Sequence, residues 1–293
     1  MILSDMNNML HSYISYMRHQ SQSDDAFMGR THALSAIAAI LALFSFMPTW
    51  YMKMAGGHNS TVLLVMFCLV SAGGALLPDL DNTQSTAKST LGATGTLISS
   101  FMRATSPIIQ NAIHTKYDKP TEDAHRGFYH TIVCGLLFGG LFSFLCSKAI
   151  SFTIASLTIN GSIMALLLMF MSIDMAFSAL LGELWKSKKA MDTLISLGFA
   201  FGISWLIWSN LPKGASYSLI GMALGVGWII HILGDMFTTA GVPALFPIKI
   251  KGKFWYNIRF LKIEAGGIIE NVLFTSFFVL VIVFCIFRIV HVL

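Results

Sequence analysis

The sequence predicts an all-α, polytopic transmembrane helix bundle of about seven spans, and three observations predict it. Hydrophobic residues make up 55% of the 293 positions and charged residues only 11%, with a mean hydropathy of +0.70, whereas a soluble domain carries roughly 25% charged residues. The apolar residues gather in runs at 32–50, 61–77, 130–149, 152–182, 193–210, 217–233 and 267–290, on the scale of the ~20 residues that cross a bilayer. Finally, the basic residues fall on alternate connecting segments. The count drops to six spans if 152–182 does not cross as expected.

That third observation also orients the bundle. With the first residues in the cytoplasm and seven spans, the cytoplasmic segments collect Arg18 and Arg30, then Lys88 to Arg126, then Lys186 to Lys189, then Lys249 to Lys262. Lys53, Lys148, Lys213 and Arg288 remain for the other side. Such an excess is what the positive-inside rule demands of a cytoplasmic face.

Residues 1–29 form a polar leader, and 30–293 form the membrane-embedded domain. Within the leader, Leu3, Met6, Leu10, Tyr13, Ile14 and Met17 share one helical face, the pattern of a helix lying on a membrane surface. Asp5 and the lack of an early basic stretch argue against a cleavable signal. Residues 78–129 are rich in Ser, Thr and Asn and read as one long cytoplasmic loop. Cys68, Cys134, Cys146 and Cys285 stand singly in apolar runs, as small buried hydrophobes do, outside any disulfide or zinc-knuckle spacing. Gly73-Gly74, Gly139-Gly140, Gly221/Gly225 and Gly266-Gly267 are sites where membrane helices can approach closely.

The ionisable residues carry the functional signal. His32 opens the first span, Asp79 and Asp81 close the second, and His125 and His130 open the third. His231 and Asp235 close the sixth, and Glu270 opens the seventh. All of these helix ends are cytoplasmic in a topology drawn from Lys and Arg alone, so their convergence is an independent observation. Ionisable groups in membrane segments are expensive and usually functional.

Their spacing suits a divalent metal. His231 and Asp235, four apart, share a helix face. Asp79 and Asp81 follow Pro78, which should end the helix and turn both carboxylates toward one cavity. Imidazole and carboxylate together suit zinc first, with manganese and iron(II) as alternatives. Seven ligand candidates exceed one tetrahedral site, so two or more ions are expected, an arrangement typical of phosphoester hydrolysis. Arg126 is a candidate clamp for an anionic substrate oxygen, Gly127 should free the turn between His125 and His130, and Glu270 is a candidate general base or further ligand. Asp174 reads either as an acid supporting a histidine ligand or as a structural hydrogen-bond partner between helices. Lys249, Lys251, Lys253, Arg259 and Lys262, interleaved with Phe254, Trp255 and Tyr256, read as an anchor to anionic lipid, with no nucleic acid expected.

Taken in order, these motifs resemble those of the bacterial inner-membrane, metal-dependent hydrolases called YdjM- or YbcI-like, a LexA-regulated group. The matching stretches are Thr31-His32, Leu77 to Asp81, His125 to His130, and His231 to Asp235 continuing through Thr238, Gly241 to Pro243 and Leu245 to Pro247. Glu270 stands where the family carries a late acidic residue. Tyr129, Thr131 and Asn82 depart from the residues common there. The resemblance implies an inner-membrane hydrolase with a metal site.

The expectation is therefore a multi-pass bacterial inner-membrane enzyme whose metal-activated water cleaves an ester or phosphoester of a lipid or other amphipathic substrate. Its cytoplasmic site has His32, Asp79, Asp81, His125, His130, His231 and Asp235 as ligands, with Glu270 and Arg126 catalytic. Two alternatives use the same residues: a transporter or metal-handling protein with a cation transit site, and a non-catalytic adaptor with a closed structural metal. The sequence leaves the oligomeric state open.

Overall fold

The computed structural model describes residues 25–119, 125–147, 151–154, 157–181, 189–261, 263, 264, 267 and 269–292. The surface helix expected in the leader lies outside these residues, as do Lys186, Lys188, Lys262 and Gly266. Among the described residues, nine α-helices follow in order: α1 Asp25–Phe46, α2 Pro48–Met54, α3 Thr61–Gly74, α4 Thr86–Ala112, α5 Ile132–Leu145, α6 Gly161–Leu181, α7 Lys189–Ser209, α8 Ser218–Asp235 and α9 Thr275–Val292. Short 3₁₀ turns occupy Pro78–Asp81 and Phe128–His130, and a π-helical turn at Ile269–Phe274 leads into α9.

The segments Gly29–Phe46, Thr61–Asp81, Gly161–Leu181, Ser218–Asp235 and Val272–Val290 are long and apolar enough to cross a membrane, and Ile132–Leu145 and Leu194–Ser209 are shorter apolar helices. The chain is thus an all-α membrane protein carrying the seven apolar helices that its sequence predicts. Two boundaries need correction. The run 152–182 is not helical from its start: Ser151–Ile154 and Leu157–Asn160 pair as an antiparallel hairpin, β1–β2, and the helix begins at Gly161. Residues 78–129 are no continuous loop either, because they contain the 27-residue α4.

Helix α8 is the hub, packed against α1, α3, α5 and α6. Glycines permit this. A Cβ on Gly225 would lie 2.7 Å from the Gly139 Cα of α5, and one on Gly74 would lie 2.5 Å from the Leu224 carbonyl oxygen. Cβ atoms on Gly221, Gly227 and Gly73 would collide with the backbone of Phe142-Ser143, Ser71 and Ser172 respectively. Side-chain-free contacts of this kind let backbones pack closely where lipid offers no hydrophobic drive for helix association. Gly140, by contrast, faces open space. The Ser71 hydroxyl donates to the Ala223 carbonyl at 2.9 Å, adding a polar tie between α3 and α8.

Helix α4 packs against both 3₁₀ turns and against α6. It turns at Gly92, where φ is +56°, and carries Pro107 inside. Ser85 caps its start by accepting from the Lys88 amide. Its far end is tied to the segment after α8, since the Asp118 carboxylate accepts from the amides of Thr115, Phe254 and Trp255 at 2.8, 3.2 and 3.1 Å. Burial pushes the Asp118 carboxyl up, but these donors outweigh it and hold its pKa below the usual value. Asp174 supports no histidine: its carboxylate accepts from Ser196 of α7 at 2.6 Å, so it is the structural partner between α6 and α7.

Candidate metal centre

The site forms where the start of α1, the end of α3, the start of α5 and the end of α8 meet. Each position has a local cause. Pro78 stops α3 and opens the 3₁₀ turn that carries Asp79 and Asp81. Thr131 caps α5 by accepting from the Cys134 amide at 3.1 Å, which fixes His130 just ahead of the helix. On α8, the four-residue spacing brings the His231 Nε2 within 3.4 Å of Asp235 Oδ2. Neighbouring residues Leu76, Leu80, Tyr129, Trp228 and Ile232 belong to one buried apolar cluster, and the Trp228 indole donates to the Tyr129 carbonyl at 2.8 Å.

Four atoms form a closed ring at the centre. His130 Nε2 lies 3.7 Å from Asp79 Oδ1 and 3.6 Å from Asp235 Oδ2; His231 Nε2 lies 3.6 and 3.4 Å from the same two oxygens. Nitrogen and oxygen alternate around the ring. In a tetrahedral site with bonds of ~2.0–2.1 Å, neighbouring donor atoms are ~3.3–3.4 Å apart, so each edge of the ring is close to ligand spacing, and Asp79, His130 and His231 form one group able to hold an ion. The His231 ring is already oriented as a ligand. Its Nδ1 faces the Ala75 carbonyl oxygen at 2.7 Å, which makes Nδ1 the donor and leaves Nε2 a free lone pair.

The ring extends on two sides. The second oxygen of Asp235 faces outward, 3.4 Å from His32 Nε2 and 3.8 Å from Arg126 Nη2, and the His32 and His231 rings stack with centroids 3.9 Å apart. On the other side, Asp81 Oδ2 lies 3.4 Å from His130 Nδ1, while Asp81 Oδ1 meets His125 Nδ1 at 2.7 Å. Three overlapping groups result, each able to hold an ion: His32 with His231 and Asp235, Asp79 with His130 and His231, and Asp81 with His125 and His130. His125 is the exposed member, at 31%.

Six polar atoms of this cluster are unsatisfied. Both ring nitrogens of His130, His231 Nε2, Asp81 Oδ2 and both oxygens of Asp235 are buried without a hydrogen-bond partner. Buried donors and acceptors are nearly always paired, and each orphan costs about 1–3 kcal/mol. Three carboxylates also face one guanidinium, an imbalance that burial penalises unless further positive charge arrives. Divalent cations answer both problems, and the donor set is all nitrogen and oxygen, with the buried cysteines elsewhere.

Arg126 has an unusual backbone. Its φ is +58°, in the left-handed region that a bulky residue rarely enters. The expectation that Gly127 frees this turn is therefore misplaced by one residue. Gly127 is needed for a different reason, since a Cβ there would collide with Gln110 and Ser106 of α4. The strained turn aims the guanidinium inward, where Nη1 donates to Thr238 Oγ1 at 2.7 Å, and Thr238 in turn donates to the Asp235 carbonyl at 2.8 Å. Strain held in place by packing is common at functional sites.

All nine residues singled out from the sequence thus lie in or beside one cluster. Glu270 is the most distant in role: it is buried, and it shares a cavity wall with His32. Sequence reasoning missed three supports. Thr238 holds Arg126, Ser106 of α4 bonds the turn through the Phe128 amide at 3.3 Å, and the Ala75 carbonyl sets the His231 tautomer. Only Thr238 left a signal, three residues beyond Asp235.

A family model described as YdjM inner membrane protein matches residues 27–183 and 193–292. Searches of curated proteins and of solved structures found no match.

Proposed function

The chain belongs to the YdjM inner membrane protein family, and on that premise we propose that it is a metal-dependent hydrolase of an ester or phosphoester. The reading is carried by the ring of His130, His231, Asp79 and Asp235, in which His130 Nε2, His231 Nε2 and Asp235 Oδ2 are buried and unsatisfied. Asp79, His130 and His231 would hold one ion, with Asp235 beside it, and His32 with the second oxygen of Asp235 would hold another. The partly exposed His125 and the buried Asp81 would complete the set. Zinc suits the donors best, and manganese or iron(II) would also fit.

Bound there, such ions supply acidified water and polarisation of the ester oxygen. The chain's own residues do the rest. Arg126 presents its fork of donors to an anionic substrate oxygen, held in register by Thr238 and the Asp235 carboxylate. Glu270, on the cavity side of His32, takes a proton from the attacking water; that water's oxygen bonds to carbon or phosphorus, and the ester oxygen leaves with a proton. The basic segments favour a cytoplasmic site.

Two features favour an enzyme over the alternatives. A transit site usually lies near the bilayer midplane between broken helices, whereas this cluster occupies helix ends. A structural metal would be closed, whereas His125 is partly exposed and His32 borders a cavity. The test is turnover of bis(p-nitrophenyl) phosphate and of a short p-nitrophenyl ester by purified protein. Chelator should abolish turnover and added zinc or manganese restore it; turnover indifferent to chelator would remove metal catalysis.

A further inference from the structure

A cavity of about 360 Å³ opens beside the cluster between α1, α8 and the start of α9. Its walls change character along its length. At one end lie His32, Thr238 and Glu270; toward the other lie Ala39, Ile230 and Phe278. From His32 to Ala39 on α1 is seven residues, so the cavity runs ~10 Å along that helix at ~1.5 Å per residue. Phe237, Phe274 and Phe277 complete the sides.

The cavity exists because α9 does not close against α8. Helix α9 packs chiefly against α1, reached through the π-helical turn and a Thr31–Thr275 hydroxyl contact at 3.5 Å. Almost none of it is buried, and Leu280, Val283 and Phe287 are 68, 59 and 62% exposed. A helix so apolar and so bare borders lipid, which makes the gap between it and α8 continuous with the hydrocarbon of the membrane.

We infer that this cavity holds one alkyl chain of a lipid substrate, with the lipid's anionic head at His32, Asp235 and Arg126. The assignment of the head rests on the hydrolase reading; the chain site does not. The polarity gradient matches a single amphiphile, polar end at the ions and hydrocarbon along α1 and α8. Entry is lateral, from the bilayer, past α9. Ligand cavities commonly combine apolar walls with a few convergent polar groups at one end, and this one ends on His32 and Glu270, with Asp235 and Arg126 just behind His32.

The experiment uses dodecyl phosphate carrying a terminal diazirine, with the zinc-loaded full chain in detergent, and maps photo-attachment by peptide mass spectrometry. Attachment should concentrate on the segments around Ala39, Ile230 and Phe278 and be competed by unlabelled dodecyl phosphate. Competition should strengthen about fourfold per methylene as alkyl phosphates lengthen, from ~0.8 kcal/mol per buried CH₂, and level off once the chain outgrows the cavity. Ala39→Trp fills the cavity from an exposed position and should cut attachment at least tenfold, with Ala39→Leu intermediate, while zinc per chain stays at the wild-type value. Attachment spread over Leu280, Val283 and Phe287 and indifferent to both substitutions would overturn the inference. Zinc measured on the same samples separates the two claims: attachment confined to the cavity in protein that binds no zinc would keep the chain site and sink the hydrolase.

Discussion

Helices α8 and α9 are both long apolar spans, yet they behave in opposite ways. Helix α8 is buried on several sides by backbone-to-backbone contacts at Gly221, Gly225 and Gly227, and it delivers His231 and Asp235 to the cluster. Helix α9 is almost unburied, leans on α1, and follows a π-helical turn that contributes one acid, Glu270. The difference teaches that the two demands on the site are met by different helices. Ion ligands must be held within tenths of an ångström, which suits a close-packed hub. A membrane-borne substrate needs a side entrance, which suits a loosely attached helix.

The largest expected effect comes from the hub's ligands. Asp235→Asn or His231→Ala should reduce bound metal from stoichiometric to near zero, read by elemental analysis, because each breaks the central ring. Glu270→Gln on the α9 side should leave metal content near wild type while lowering turnover ~10²-fold or more, in keeping with loss of a general base. Equal loss of metal in both would erase the contrast between the helices.

Packing substitutions sharpen the same contrast through stability. Gly225→Val on α8 forces apart two backbones in contact and should cost about 1–3 kcal/mol, seen as a lower unfolding temperature in detergent. Leu280→Ala on α9 should stay within about 0.5 kcal/mol, as exposed substitutions do.

Much of this division was legible in the sequence. The apolar runs located the seven helices, and the polar residues at their ends marked the cluster, because charge is rare enough in such a chain to stand out. Other parts were not. Helix α4 was hidden because its large apolar residues Leu97, Phe101 and Ile108 point outward while its buried face is Ala87, Gly95, Ser99, Met102, Ser106 and Gln110, so they never form a continuous apolar run. The hairpin 151–160 was hidden because a short apolar stretch does not distinguish strand from helix. The Arg126 turn was misassigned because a neighbouring glycine is the usual bearer of a positive φ. The bareness of α9, and with it the cavity, is a tertiary outcome: α8 and α9 are both strongly apolar, and only packing distinguishes them.

Smaller effects test the supports. Arg126→Lys keeps the charge but loses the fork that meets Thr238 and Asp235, so turnover should fall ~10- to 10²-fold with metal retained, following the ~1.5–3 kcal/mol of a charge-assisted hydrogen bond. The smallest effect concerns the Asp118 clamp between α4 and the segment after α8. Its folded pKa is lowered, so its stabilisation is present above the unfolded value of ~3.9 and is lost as pH falls through the folded pKa. Asp118→Asn should therefore lower the unfolding temperature slightly at pH 7 and make no difference well below pH 4.

The most direct measurement is metal stoichiometry in the purified full-length protein, wild type beside Asp235→Asn. The account predicts at least one zinc, manganese or iron per chain in wild type, lost in the variant. A folded wild-type protein with no bound metal after incubation with all three, or a variant that keeps its full complement, would contradict it.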